Sequence, residues 1–325
     1  MKISVVIPTY QRPQLLLRCV EALAHQTFPQ DEYEIIVVSD GPDEATKAAL
    51  HKVIPGIAIV IRYYYLPKKK GPAAARNYGW RMARSNRLIA FTDDDCIPDP
   101  KWLLAFWNAF LRSPGNKSAF TGKTVVPIPA VPTDYERNIA QLEKAEFITA
   151  NCACTRAALE KVDGFDEQFT MAWREDSDLQ FKFLEHRVPI ISVKNAVVTH
   201  PVRKAPWGVS IKDEKKGVFN ALLFKKFPEL YKKRIQPAPP WRYYMTLVFI
   251  FSFLIAVLTG TSWLMLVSFA GWAAFTGWFI ARRLAHTSHS INHILEMTVT
   301  SAVIPVLSIY YRIYGSLKFK SPLLP

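Results

Sequence analysis

Three consecutive aspartates, Asp93-Asp94-Asp95, follow an apolar run in AFTDDDCIPDP (90–100). Side chains two apart on a strand share a face, so Asp93 and Asp95 are expected to converge while Asp94 points away. Two adjacent carboxylates repel and raise a pKa unless a cation sits between them. A hard divalent ion removes that penalty, and Mg²⁺ is commonly held by one or two carboxylates plus substrate phosphates. The plainer alternative is a solvated acidic turn capping the next helix, but Asp99 already offers a cap ahead of Pro100 and an aromatic helix running through Leu111. A second acidic pair, Glu175-Asp176 in WREDSDL (173–179), stands where a helix over 176–185 would begin with Leu179 and Phe183 facing inward. The helix dipole favours carboxylates there, as caps or as a base, whereas Asp178 reads as structural. Asp40, in VVSDG (37–41), fits turn chemistry after a strand. His200, in VVTHP, reads as an ordinary satisfied histidine.

These residues need a scaffold, and the first hundred residues describe one. ISVVI (3–7), EIIVV (34–38), IAIVI (57–61) and RLIAF (87–91) are short β-branched runs of the kind that form buried strands. Between them, 13–26, 43–53 and 72–85 carry helical spacing, with Pro13 and Pro72 as first-turn prolines. Strand–helix alternation predicts an α/β domain over 1–200, a Rossmann-like, mostly parallel sheet flanked by helices. Ligands on such sheets bind beyond the carboxyl ends of the strands, which singles out the loops 8–12, 39–43 and 92–99. Pro127, Pro129 and Pro132 break the region after 120 into loops and short strands.

The net charge of +14 is local: residues 1–200 carry only +2, 201–242 carry +8 and 282–325 carry +4. Between the two basic stretches, Tyr243–Ala281 contains no Asp, Glu, Lys or Arg. Its 39 residues suit two spans of about 20 each, broken at LTGTS (258–262). Arg282-Arg283 then returns the chain to the cytoplasmic side. Cations bordering apolar runs suit anionic lipid better than nucleic acid. The segment 201–242 reads as a basic juxtamembrane, acceptor-side stretch ending in the stiff linker QPAPP (236–240). The region 282–325 reads as a basic turn and an interfacial or re-entrant helix around Ile294–Tyr311. Four cysteines without a CxxC pair argue against zinc and against a disulfide framework. The apolar run stopped by Pro8 is too short for a secretory signal, so the N-terminal domain is expected in the cytoplasm.

VVIPTYQRP (5–13), VVSDG (37–41), GPAAARNYGW (71–80), FTDDDCIPDP (91–100), GFDEQF (164–169) and WREDSDL (173–179) occur in that order. Together they resemble the inverting glycosyltransferases of family 2, of the membrane-anchored bacterial type, which have the GT-A fold. The resemblance implies a nucleotide-sugar donor, commonly UDP-linked, and Mn²⁺ or Mg²⁺. Pro8, Thr9 and Arg12 would line the nucleotide pocket, Asp40 would accept from the base, and Arg76 would sit near the diphosphate or shape its loop. The alternative for Arg76 is a structural ion-pair partner. Asp93 and Asp95 would form the DxD pair, with Asp95 the more direct metal ligand and Asp94 beside the donor. His200 would be a further ligand. Asp176, with Glu175, would be the base that takes the acceptor's proton. Asn151 and Trp173 would belong to the sugar or acceptor pocket.

With the apolar tail, these roles imply transfer to a hydroxyl of a lipid-linked saccharide or glycolipid at the cytoplasmic membrane, among membrane lipids and without nucleic acid. Subunit number is open, a homo-oligomer included. A rival is a polyprenyl-phosphate glycosyltransferase of the dolichyl-phosphate mannose synthase type. A phosphate acceptor needs no base, however, which weighs against that rival. A rival of another class is an inactive membrane-anchored sugar-nucleotide-binding module.

Overall fold

The computed structural model describes residues 1–113 and 115–324. They form two compact units: Met1–Pro127 with Ala140–Val202, and Ile128–Ile139 with Arg203–Pro325.

The first unit is built on β1 (Ile3–Thr9), α1 (Pro13–Ala24), β2 (Tyr33–Ser39), α2 (Glu44–Val53), β3 (Val60–Tyr65), α3 (Pro72–Met82), β4 (Leu88–Thr92), β5 (Ile97–Pro98) and α4 (Trp102–Leu111). Then come β6 (Ala119–Val125), α5 (Asp134–Ile139, in the second unit), β7 (Asn151–Thr155), α6 (Arg156–Lys161), α7 (Glu175–Glu185) and β8 (Ile190–Thr199). The sheet order is β3-β2-β1-β4-β7-β6-β8-β5. β3, β2, β1 and β4 are parallel, β7 is antiparallel to both its neighbours, and β6 and β8 are parallel.

Every residue of β1, β2 and β4 is buried, because helices cover both faces. Val5 and Ile7 pack on one face with Leu16, Leu23, Trp102 and Phe106. Val6, Ile36 and Phe91 pack on the other with Trp80, Leu179 and Phe183. Pro13 and Pro72 open their helices, where the missing N–H costs nothing.

The expected strand 57–61 is displaced to Val60–Tyr65. Ile54–Gly56 is taken up by a 3₁₀ turn, and the register with β2 is fixed by Arg62 on Glu34 at 3.1 Å. The aromatic helix starts at Trp102, two residues later than Pro100 implies. Asp99 accepts from the Lys101 amide at 2.9 Å and so closes a turn before the helix.

The second unit contains α8 (Val209–Asp213), α9 (Val218–Lys226), α10 (Pro228–Arg234), α11 (Trp241–Thr259), α12 (Ser262–Leu284) and α13 (Ile291–Phe319). The last three are each long and apolar enough to cross a membrane. Gly260, at φ +69°, ends α11 and starts the tight turn into α12 at the expected break. The basic stretch 201–242 also carries apolar packing: Val218, Phe219, Ala221, Leu222, Leu223 and Phe224 of α9 are all buried. Arg283 is a buried ion-pair partner rather than a headgroup cation, since its Nη2 lies 2.8 Å from Asp134 and its Nη1 donates to Thr300 and Ser301.

Candidate active site

The acidic cluster sits just beyond the carboxyl end of β4. That strand stops at Thr92, and the amide of Cys96 donates to the Asp93 carbonyl at 3.1 Å, closing a turn over Asp94-Asp95. Strand alternation therefore does not extend to the aspartates, and their side chains take three directions. Asp93 receives Arg76 Nη2 at 2.7 Å. Asp94 accepts from Thr9 Oγ1 at 2.8 Å and from Arg12 Nη1 at 3.3 Å. Asp95 lies 3.7 Å from His200 Nε2. The expected convergence of Asp93 and Asp95 is thus corrected, while Asp94 does point elsewhere: it is buried against the β1 loop, and burial lifts its pKa to about 6 against the pull of Arg12.

Asp95, Cys96 and His200 bring one potential ligand atom each to within 4.8 Å of one another. His200 turns Nε2 toward Asp95, so a cation between the two would take that nitrogen, while Nδ1 is buried with no hydrogen-bond partner. The Cys96 thiol is pushed well above its usual range by burial and by Asp93 and Asp95, so it is a poor thiolate ligand. With that thiol protonated, the cluster offers one carboxylate and one imidazole, and lacks the thiolates of a structural zinc site.

Arg76 links the two acidic motifs. It is buried in α3, with Nη2 on Asp93 and Nη1 on Glu175 Oε1 at 3.2 Å. Both contacts are ion pairs, which is one of its two sequence readings. Glu175 opens α7 and is buried. Burial, reinforced by Asp176, raises its pKa to about 7 even though Arg76 opposes the shift. Asp176 is half-buried and more accessible. Its Oδ1 accepts from the Ser177 amide at 2.6 Å, and burial raises its pKa too. Asp178 is fully buried and 3.6 Å from Lys182, in keeping with a structural role.

Asp40 Oδ1 accepts from the amides of Lys70 (2.7 Å) and Gly71 (2.8 Å) and so pins the entry to α3. Pro8 lies on β1 opposite Val38, one residue before Thr9. Trp173 is 39% exposed, with the Arg174 guanidinium 4.7 Å from its ring centre.

Asn151 does not fit a sugar pocket. Fully buried, it accepts from Trp102 Nε1 at 2.8 Å and spends both amide hydrogens on the carbonyls of Lys123 and Ala196. Its role is to join β6, β7, β8 and α4.

Asn77 and Gly71 are positioning residues that no local sequence signal singles out. Asn77 donates to the Phe165 carbonyl (2.9 Å) and to Glu167 (3.0 Å), and accepts from the Phe165 amide and Trp80 Nε1. It thereby fastens GFDEQF to α3. Gly71 adopts φ +100°, and a Cβ there would stand 2.5 Å from the Thr170 carbonyl. Both bring the loop before Trp173–Asp176 against the start of α3.

Residues 4–162 match the family described as Glycosyl transferase family 2. The catalytic unit belongs to that family. Its sheet is the GT-A arrangement. It is 33% identical over 104 residues to glycosyltransferase AglE of Haloferax volcanii, covering 31% of this chain and 33% of that one. It is 25% identical over 252 residues to validoxylamine A glucosyltransferase of Streptomyces hygroscopicus subsp. limoneus, covering 66% and 52%. The chain thus spans between a third and about half of the length of these relatives. Among solved structures it resembles the mannosyltransferase PcManGT from Pyrobaculum calidifontis in complex with GDP-Man and Mn²⁺, with TM-score 0.56 and 18% identity over 98% of this chain and 87% of that one.

Proposed function

We propose that this protein is a metal-dependent, inverting glycosyltransferase that moves a sugar from a nucleotide donor, UDP-linked, to a hydroxyl of a lipid-linked saccharide or glycolipid at the cytoplasmic membrane face. The observation that carries the proposal is the Arg76 bridge, which sets Asp93 of the first acidic motif and Glu175 of the second on one guanidinium. Donor-side and acceptor-side chemistry therefore share one small volume.

In this reading Thr9, Arg12 and Asp94 shape the nucleotide side, and the unshared Asp40 oxygen faces the base. Asp95 and His200, with Asp93, would hold the cation. Bound Mn²⁺ or Mg²⁺ would neutralise charge on the departing nucleoside diphosphate. Asp176 takes the acceptor's proton as its oxygen attacks from the face opposite the diphosphate. Glu175 and Arg76 fix where Asp176 stands, and Trp173 offers a ring for the sugar or acceptor. The three apolar helices support membrane anchoring, with α11 and α12 as a spanning hairpin and the catalytic unit in the cytoplasm.

The test is a thermal-shift screen of UDP- and GDP-sugars with Mn²⁺ or Mg²⁺, followed by transfer assays on extracted lipids. A sugar nucleotide is expected to stabilise the protein only when the cation is present. Asp95→Ala should abolish that shift, while Asp176→Asn should keep it and lose transfer. Full turnover by Asp176→Asn removes the proposed base, and no stabilisation by any sugar nucleotide removes the donor.

A further inference from the structure

Resting on the membrane anchoring proposed above, we infer that α13 lies in the plane of the membrane surface, as a platform on a lipid monolayer, and does not cross the bilayer. The helix is long and apolar enough to span by composition. Its neighbours rule that out. The basic segment before α11 runs beside it along most of its length. The Gly208 amide donates to Glu296 at 2.7 Å, and the Glu214 carboxylate accepts from Ser308. A Cβ on Gly315 would stand 2.7 Å from the Val218 carbonyl, so the two backbones nearly touch. Lys225 Nζ donates to the Phe319 carbonyl at 2.8 Å, and the Phe219 and Phe319 rings are 6.1 Å apart.

From Glu296 to Phe319 an α-helix covers about 35 Å, more than the roughly 30 Å of a hydrocarbon core. A spanning α13 would therefore drag Lys212, Asp213, Glu214, Lys215, Lys216, Lys225 and Lys226 into the bilayer beside it. Glu214 and its lysines, level with Ser308 and Tyr311, would sit near the midplane, where charged groups are least tolerated. An in-plane α13 keeps all of them at the headgroups.

Its surface pattern matches such a helix. Ile291, Leu295, Val299, Val303, Val306, Tyr310, Ile313 and Leu317 recur every three or four residues and are exposed. The opposite stripe, including His293, Met297, Thr300, Ile304 and Arg312, is buried against protein. The exposed stripe fits the acyl boundary, and Lys225, Lys318 and Lys320 at its end suit anionic headgroups. Residues after α13 then stay on the side from which α11 enters.

The experiment uses the full chain in vesicles of phosphatidylethanolamine and phosphatidylglycerol. Spin labels are placed singly through Leu295→Cys, Val303→Cys, Tyr310→Cys and Leu317→Cys. The four native cysteines are buried and do not compete for label. Collision rates with oxygen and with a nickel chelate are expected to report one shared depth, about 5–10 Å below the headgroup boundary. Lys320→Cys should react with an impermeant maleimide from the same side as Lys2→Cys. A depth profile deepest at Val303 and Tyr310, with Lys320→Cys labelled from the opposite side, overturns the inference and leaves the anchoring intact. Complete release of the protein by sodium carbonate would instead remove the anchoring, and this inference with it.

Discussion

Glu175 is a carboxyl group held between neighbours of opposite sign, Asp176 on one side and Arg76 on the other. Its folded pKa of about 7 lies above the ordinary 4.5, so folding favours the protonated form. The stability this contributes is complete below 4.5 and is lost as pH rises through about 7. Catalysis runs the other way, because a base must be ionised to accept a proton. Asp176 is raised by burial, so the acid limb of kcat should lie above the usual carboxylate range, with activity climbing as pH rises. Glu175→Gln keeps this neighbour of Asp176 uncharged at every pH and is expected to move that limb to lower pH while reducing kcat. Steady-state transfer rates across a pH series check this, and an unmoved limb would uncouple the two carboxylates.

Among the elements, the loop between α6 and α7 owes its position to Asn77. Asn77→Ala strips two contacts from the Phe165 backbone and leaves Trp80 Nε1 without its acceptor. The expected cost is about 3 kcal/mol by chemical denaturation. KM should also rise, because this loop leads into Trp173–Asp176. A stable variant with unchanged KM would show that the loop holds itself. How legible each part was follows from the range of the interactions involved. β1, β2, β4 and the first three helices are set by periodicity and first-turn prolines, which are local signals, and their bounds moved by few residues. Glu175-Asp176 at a helix start and the acidic cluster after a strand were legible for the same reason. The directions of Asp93, Asp94 and Asp95 were not, because a turn replaces the strand after Thr92. Nor was the structural use of Asn151, whose partners Trp102, Lys123 and Ala196 lie 28 to 49 positions away. The displacement of β3 came from pairing with β2, which outweighed the β-branched run at 57–61.

At the level of the whole molecule, the charge asymmetry seen in the sequence divides into two kinds of cation. Lys212, Lys215, Lys225, Lys232 and Lys233 are exposed, whereas Arg283 is sequestered with Asp134 and three hydroxyls. Breaking a buried ion pair by deleting one partner costs more than replacing both. Arg283→Met alone should lower stability by about 3 kcal/mol, and adding Asp134→Leu should restore most of it. Thermal unfolding in detergent would measure this, and additive losses would mean the pair is not coupled. Asp134 belongs to Ile128–Ile139, a strap that leaves the catalytic unit after Pro127 and returns to it at Ala140. The chain therefore passes between the units three times instead of once. A single genetic crossover anywhere between Asp134 and Arg283 would part the two halves of their ion pair. Asp134 and Arg283 are thus expected to change together, although residues 140–202 of the first unit are encoded between them.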